Sequence, residues 1–280
     1  METNLPIYEI RDVPFYVDVD NNRLFQKGNE DNVLRFDDME YCPTGYVARI
    51  NPECMSQANH FSKQIVEEPI EHMVKLDPER MAKKYGTSVD KLPVSDGLLT
   101  YNKDNLVRRV MGELPRMMIY GHEFIIDLRL GLLRPVDDFR TMGIVIDELL
   151  MDASGSVYQC LYDFNMHTIA IPDMSITSIP KNIIPIEIPN DDTLDPFFCA
   201  KKYSELNGLS RQYPIGKAEV ANAIDWEKTE MSQYFSRYPV RFNLEARIIP
   251  WERTGVMEVI KKNRDFQKKN MPRKRKGKGL

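Results

Sequence analysis

The sequence predicts an α+β fold made of two related units in tandem, and three observations predict it. A pattern recurs 109 positions on: Leu5-Pro6, Ile10, Phe15, Asp18 and Leu24 return as Leu114-Pro115, Ile119, Phe124, Asp127 and Leu133. A second pattern recurs at a shift of 118, where Leu76-Asp77-Pro78 with Ala82-Lys83-Lys84-Tyr85 returns as Leu194-Asp195-Pro196 with Ala200-Lys201-Lys202-Tyr203. Two segments in the same order at nearly the same offset read as an internal duplication. The third observation is periodicity: apolar residues alternate before each Leu-Asp-Pro motif and take helical form after it, so each unit is several strands followed by one helix.

In the first unit, Ile7 to Ile10 and Val13 to Val19 read as strands about a tight turn at Arg11-Asp12. Phe15, Val17 and Val19 share one face of the second strand, as a half-buried strand requires. Asp20-Asn21-Asn22 is turn chemistry, because Asn and Asp tolerate left-handed backbone, and Leu24-Phe25 begins a return strand. Arg129-Leu130-Gly131 holds the matching turn of the second unit. Asp37-Asp38-Met39 matches Asp147-Glu148-Leu149 one residue out of register. Gly45 to Ile50 and Ser156 to Phe164 are strand-like, and His167 to Ile171 completes a hairpin. Ser56 to Gln64 is polar and reads as a short helix. Glu71 to Lys75 and Ile184 to Ile188 read as the last strands.

Asp77 and Asp195 are placed as N-caps, with Pro78 and Pro196 at the first helical position, where a missing N–H costs nothing. Gly86 supplies the stop. Asn102 to Met111 predicts a helix. Lys217 to Arg237 lacks Gly and Pro and keeps helical spacing, Val240 to Leu244 alternates like a strand, and the chain from Gln267 carries almost no apolar side chains and predicts disorder. The expected organisation is therefore a first unit at 1–100, a linker at 101–113, a second unit at 114–215, a helix-and-strand segment at 216–260 and a basic tail at 261–280.

At 42% hydrophobic and 29% charged residues, the 280-residue chain is ordinary globular material. No apolar run is long enough for a transmembrane helix, and residues 1–12 lack the basic start and apolar block of a secretory signal. No membrane association is expected. Cys42, Cys54, Cys160 and Cys199 lie far apart without a CxxC pair. That argues against zinc and a disulfide framework and fits a reducing cytoplasm.

The net charge of −4 conceals a split. Ten of the 38 basic residues and one of the 42 acidic ones fall in 261–280, so the tail carries +9 and the body −13. Lys268, Lys269, Arg273, Lys274, Arg275, Lys276 and Lys278 are the candidate nucleic-acid-binding residues, since clustered cations gain affinity for phosphates by releasing counterions. The structural reading of the same tail is a solvated segment that keeps an acidic body dispersed. Lys261-Lys262 and Arg273 to Lys276 also have the spacing of a bipartite nuclear-import signal, which has meaning only in a eukaryote.

Other motifs weaken on inspection. Met81 to Val89 resembles the start of a helix-turn-helix, but the second copy lacks Gly at the turn and Leu92-Pro93 leaves little room for a recognition helix. A calcium loop beginning at Asp18 would place Arg23 and Asn29 where Gly and Glu are required. His122-Glu123 is followed by Ile126, where a metalloprotease helix needs histidine. His60, His72 and His167 stand alone in the sequence. Trp251, Tyr234, Phe235, Tyr238 and Phe242, interleaved with Arg237 and Arg241, offer base-stacking chemistry, and equally the makings of a small core. No phosphate-binding glycine loop, dinucleotide fingerprint or nucleophile elbow is present. No catalytic residue, metal or cofactor is therefore assigned.

The Leu5-Pro6…Phe15-Tyr16-Val17-Asp18 and Leu76-Asp77-Pro78…Ala82-Lys83-Lys84-Tyr85 motifs, with their doubling, are similar to uncharacterised duplicated-domain proteins of mobile genetic elements in Bacteroidetes. The likeness covers residues 5 to about 215. It implies a bacterial cytoplasmic setting and a DNA-handling or defence-related element, and it transfers no activity and no catalytic residue. The leading expectation is a non-catalytic binding or adaptor protein whose body meets a protein partner and whose tail meets DNA or RNA. One alternative is an enzyme acting on nucleic acid, with Asp18, Asp20, Asp127 and Asp147 converging between the units. Another is a structural or assembly subunit.

Overall fold

The computed structural model describes residues 5–59, 62–138, 140–171, 173, 175–206 and 225–270. Helices and predominantly antiparallel sheets are combined, as an α+β chain requires. Strands β1 (Ile7–Ile10), β2 (Val13–Asp18), β3 (Arg23–Gln26) and β4 (Asn29–Arg35) form a meander in sequence order. Arg11 and Asp12 both take positive φ, 49° and 65°, which closes β1 on β2 with the twist a two-residue hairpin needs. Between β2 and β3 the chain makes one 3₁₀ turn at Val19–Asn21. Asp18 caps it by accepting from the Asn21 N–H at 3.3 Å, and Asn22 ends it at φ 50°.

After a 3₁₀ turn at Phe36–Asp38, β5 (Glu40–Cys42) and β7 (Ser56–Gln57) pair with one edge of β6 (Gly45–Asn51), and β8 (Val66–Ile70) pairs with the other. A one-turn helix α1 (Met73–Leu76) then leads into α2 (Pro78–Tyr85). Phe15, Val17, Leu24, Leu34, Ala48, Ile50, Ile70 and Met81 bury one common core between these sheets and α2.

The second half runs in the same order. Strands β9 (Arg116–Ile119), β10 (His122–Asp127), β11 (Leu132–Pro135) and β12 (Ile144–Val145) form a meander, followed by a 3₁₀ turn at Ile146–Glu148. Strand β14 (Val157–Asp163) then pairs with β13 (Leu150–Met151), β15 (Thr168–Ile169) and β16 (Ile183–Pro189). Helices α4 (Asp191–Leu194) and α5 (Pro196–Leu206) close the half. Phe124, Ile126, Leu133, Tyr162, Ile186 and Ile188 form its core. The later chain feeds back into these sheets. Strand β17 (Leu244–Glu245) adds to β9, in parallel, and β18 (Arg247–Ile248) adds to β16.

The Leu-Asp-Pro motifs do what their chemistry dictates. The Asp77 carboxylate accepts from the Arg80 N–H at 3.1 Å, Asp195 accepts from the Phe198 N–H at 3.2 Å, and Gly86 stops α2 at φ 65°. Helix α3 (Lys103–Val110) forms where expected, with Asn102 as its cap. It packs with α5 and with α6 (Glu230–Arg237) around a third, smaller core of Tyr101, Ala200, Phe235 and Val240.

Five local expectations are corrected. Ser56 to Gln64 begins as a strand, because Ser56 and Gln57 find partners on β6. Glu71 to Lys75 lies beyond the last strand of the first half, which is Val66–Ile70, and enters α1 instead. Lys217 to Arg237 is not one helix: a 3₁₀ turn at Trp226–Lys228 precedes Thr229, whose ψ of 151° breaks the run and whose hydroxyl caps α6; residues 217–224 lie outside the described residues. Val240 to Leu244 pairs only from Leu244. The chain from Gln267 is helical to Asn270, as part of α7 (Val256–Asn270), because buried Val256 and Ile260 seat the helix and Gln and Lys continue it at little cost.

Candidate functional site

Arg23 opens β3, opposite Asp18 of β2, and its side chain is 1% exposed. A guanidinium there must be satisfied on every side. Its Nε donates to Asp18 Oδ2 at 2.9 Å, its Nη1 to Asp152 Oδ2 at 3.2 Å and its Nη2 to Glu187 Oε2 at 2.9 Å. Asp152 and Glu187 belong to the second half, so Arg23 ties the two halves through buried charge. Glu187 also accepts from both Arg247 and Arg253, and from Gln159 Nε2 at 3.0 Å. Burial would raise its pKa. The guanidiniums of Arg247, Arg23 and Arg253 outweigh burial and hold it down at about 2. Asp18 is lowered in the same way: burial opposes ionisation, and Arg23 and Arg247 overcome it.

Beside this centre lies a cavity of about 380 Å³ between the β2–β3 turn, α2 and the β17–β18 segment. Among the described residues, every charged side chain on its wall has a partner of opposite sign. Asp18 holds Arg23, Arg241 meets Asp20 at 2.8 Å, Arg80 meets Asp77 at 2.9 Å, Lys83 meets Glu245 at 3.3 Å, and Arg247 is held by Glu187. Among the described residues the wall has no histidine or cysteine. Such a surface is electrostatically balanced.

The four candidate carboxylates do not converge. Asp18 and Asp20 line the cavity. Asp127 and Asp147 do not: buried Asp127 accepts from the Leu130 N–H at 3.3 Å within its own hairpin, and Asp147 is exposed in the 3₁₀ turn at Ile146–Glu148. Lys84 is 4% exposed. Its Nζ donates to Val19 O and to Asn22 Oδ1, each at 2.7 Å, so it ties α2 to the β2–β3 turn. Burial, reinforced by Arg241, lowers its pKa to about 8. The helix-turn-helix likeness ends at Gly86, since only a 3₁₀ turn at Val89–Lys91 follows.

The histidines are less isolated than their spacing implies. His122 and His167 stack with ring centroids 4.2 Å apart, and His167 Nδ1 lies 3.3 Å from Asp138. His72 is buried against Pro43 O at 3.0 Å. Among the described residues, no group of three or more His, Cys, Asp or Glu is placed to hold a metal ion. Four members of the aromatic segment pack inward: Phe235 is core, Tyr234 and Phe242 pack against it, and Tyr238 donates to Asp37 at 2.5 Å. No helix among the described residues is long and apolar enough to cross a membrane.

The basic segment starts within α7. Val256 and Ile260 seat this helix, Asn263 Nδ2 donates to Ile176 O at 2.7 Å, and Arg264 Nε donates to Thr177 O at 2.6 Å. From Arg264 to Lys268 every residue is exposed, including Phe266. Lys268 is therefore presented on a helix, and Lys269 follows it within the same helix. Arg273, Lys274, Arg275, Lys276 and Lys278 lie outside the described residues. Sequence reasoning missed Arg23, Glu187, Arg247 and Phe266. An arginine beginning an apolar strand was the available signal for the first. No family model, curated protein or solved structure matches the chain.

Proposed function

We propose that the chain is a non-catalytic binding or adaptor protein, whose two α+β units are a tandem duplication that engages a protein partner and whose basic C-terminal tail contacts DNA or RNA. The observation that carries this reading is α7, an anchored helix that is exposed from Arg264 to Lys268 and leads into the most basic stretch of a chain with an acidic body. Repetition of the hairpin and Leu-Asp-Pro elements supports the duplication, and the balanced cavity favours binding over catalysis. A mobile-element or defence-related setting follows from the resemblance alone.

The test is a full-length variant with Lys268, Lys269, Arg273, Lys274, Arg275, Lys276 and Lys278 changed to Gln, compared with wild type by fluorescence anisotropy across a salt series. Each cation that no longer pairs with a phosphate should flatten the slope of log K against log salt by about 0.7–0.9. Equal affinity and equal slope for the two proteins would remove the tail from the reading.

A further inference from the structure

Phe266 stands out on α7 as a large aromatic side chain with no core to enter. It is 69% exposed, whereas Val256 and Ile260 of the same helix are buried at 8% and 3%. Its direction on the helix is about 80° from that of Val256 and about 120° from that of Ile260, so it points away from the seated stripe. Among the described residues, the last bonds from α7 to the body are those of Asn263 and Arg264, and Phe266 lies beyond both. One turn earlier on its own face is Lys262, also exposed.

Resting on the nucleic-acid reading of the tail, we infer that Phe266 is a base-stacking platform and that the ligand of this segment is single-stranded DNA or RNA. An aromatic face beside a cation matches a strand that offers alternating phosphates and unpaired bases, since stacking supplies affinity without sequence readout. A duplex hides its base faces in its own stack and meets only the cations. The segment's net positive charge commits it to an anionic partner, and the flat ring selects the anion that carries exposed π-faces.

The experiment compares full-length wild type, Phe266→Ala, Phe266→Trp and the seven-glutamine variant. Each is titrated into a labelled single-stranded oligonucleotide, its duplex, and vesicles containing anionic phospholipid. Alanine favours the helix and Phe266 is exposed, so Phe266→Ala keeps the fold, which circular dichroism checks. The expected result is a loss of about 5- to 150-fold on the single strand, little change on the duplex, and recovery with Phe266→Trp. If Phe266→Ala binds the single strand as wild type does while the seven-glutamine variant loses it, the stacking role falls and the charge reading stands. Equal losses on single strand and duplex, or a loss on vesicles alone, also overturn stacking. If wild type binds neither form of nucleic acid, the charge reading and the inference fall together.

Discussion

Replacing Glu187 with Gln isolates the centre that joins the two halves. The substitution keeps size and shape and removes the one negative charge shared by Arg23, Arg247 and Arg253. The side chain is 1% exposed, so solvent screens little of the interaction. Holding the carboxyl at about 2 rather than at its ordinary 4.5 corresponds to roughly 3 kcal/mol of folded-state stabilisation. That falls within the range of about 3–5 kcal/mol for breaking a buried pair from one side. Because the folded value is depressed, the stabilisation is fully present above about 4.5 and is lost as pH falls through about 2. Urea unfolding of wild type and Glu187→Gln at pH 7, repeated in steps towards pH 3, should show a gap of roughly 3 kcal/mol that narrows below pH 4.5. A gap under about 1 kcal/mol at pH 7, or one that does not change with pH, would refute this electrostatic origin.

Three further outcomes are expected. Lys84→Met should alter the alkaline limb of stability: the folded lysine titrates near 8 and the unfolded one near 10.5, so wild type should gain stability relative to the variant as pH rises between those values in urea titrations. Asp77→Ala removes the cap of α2 and the partner of Arg80, and should cost about 1–2 kcal/mol by thermal or chemical unfolding, with Asp77→Asn retaining part of it. Gly143→Ala should cost roughly 2–3 kcal/mol in the same assay, because its φ is 87° and an added Cβ would lie 2.0 Å from Leu133 O.

What could be read in the sequence is what local chemistry decides. Asp77, Pro78 and Gly86 specify the start and end of α2 within ten residues, and Arg11-Asp12 and Asn22 mark turns through backbone preferences that need no distant partner. Where the outcome depends on remote pairing, the sequence was silent or misleading. Ser56 and Gln57 are polar and helix-compatible, yet the free edge of β6 makes them a strand. Arg23 fitted a failed calcium loop until its partners, 129 and 164 residues away, came into place. The candidate site divides the same way. The basic tail is visible as composition, whereas the exposure of Phe266 depends on which face of α7 docks. The pairing of all the cavity's charges depends on where α2 and β17 meet.

The reach of Arg23 also sets an order of events during synthesis. Glu187 follows it by 164 residues, a wait of about 10–30 s at cellular elongation rates. Until then the first half has Asp18 as its own partner for this guanidinium, and cannot take it fully out of water without a large penalty. The later return of Leu244–Glu245 to β9 and Arg247–Ile248 to β16 delays closure further. Assembly of the finished molecule is thus gated by its most distant pairings, and a nascent chain stalled before Glu187 should expose an open, hydrated first half to proteases and chaperones.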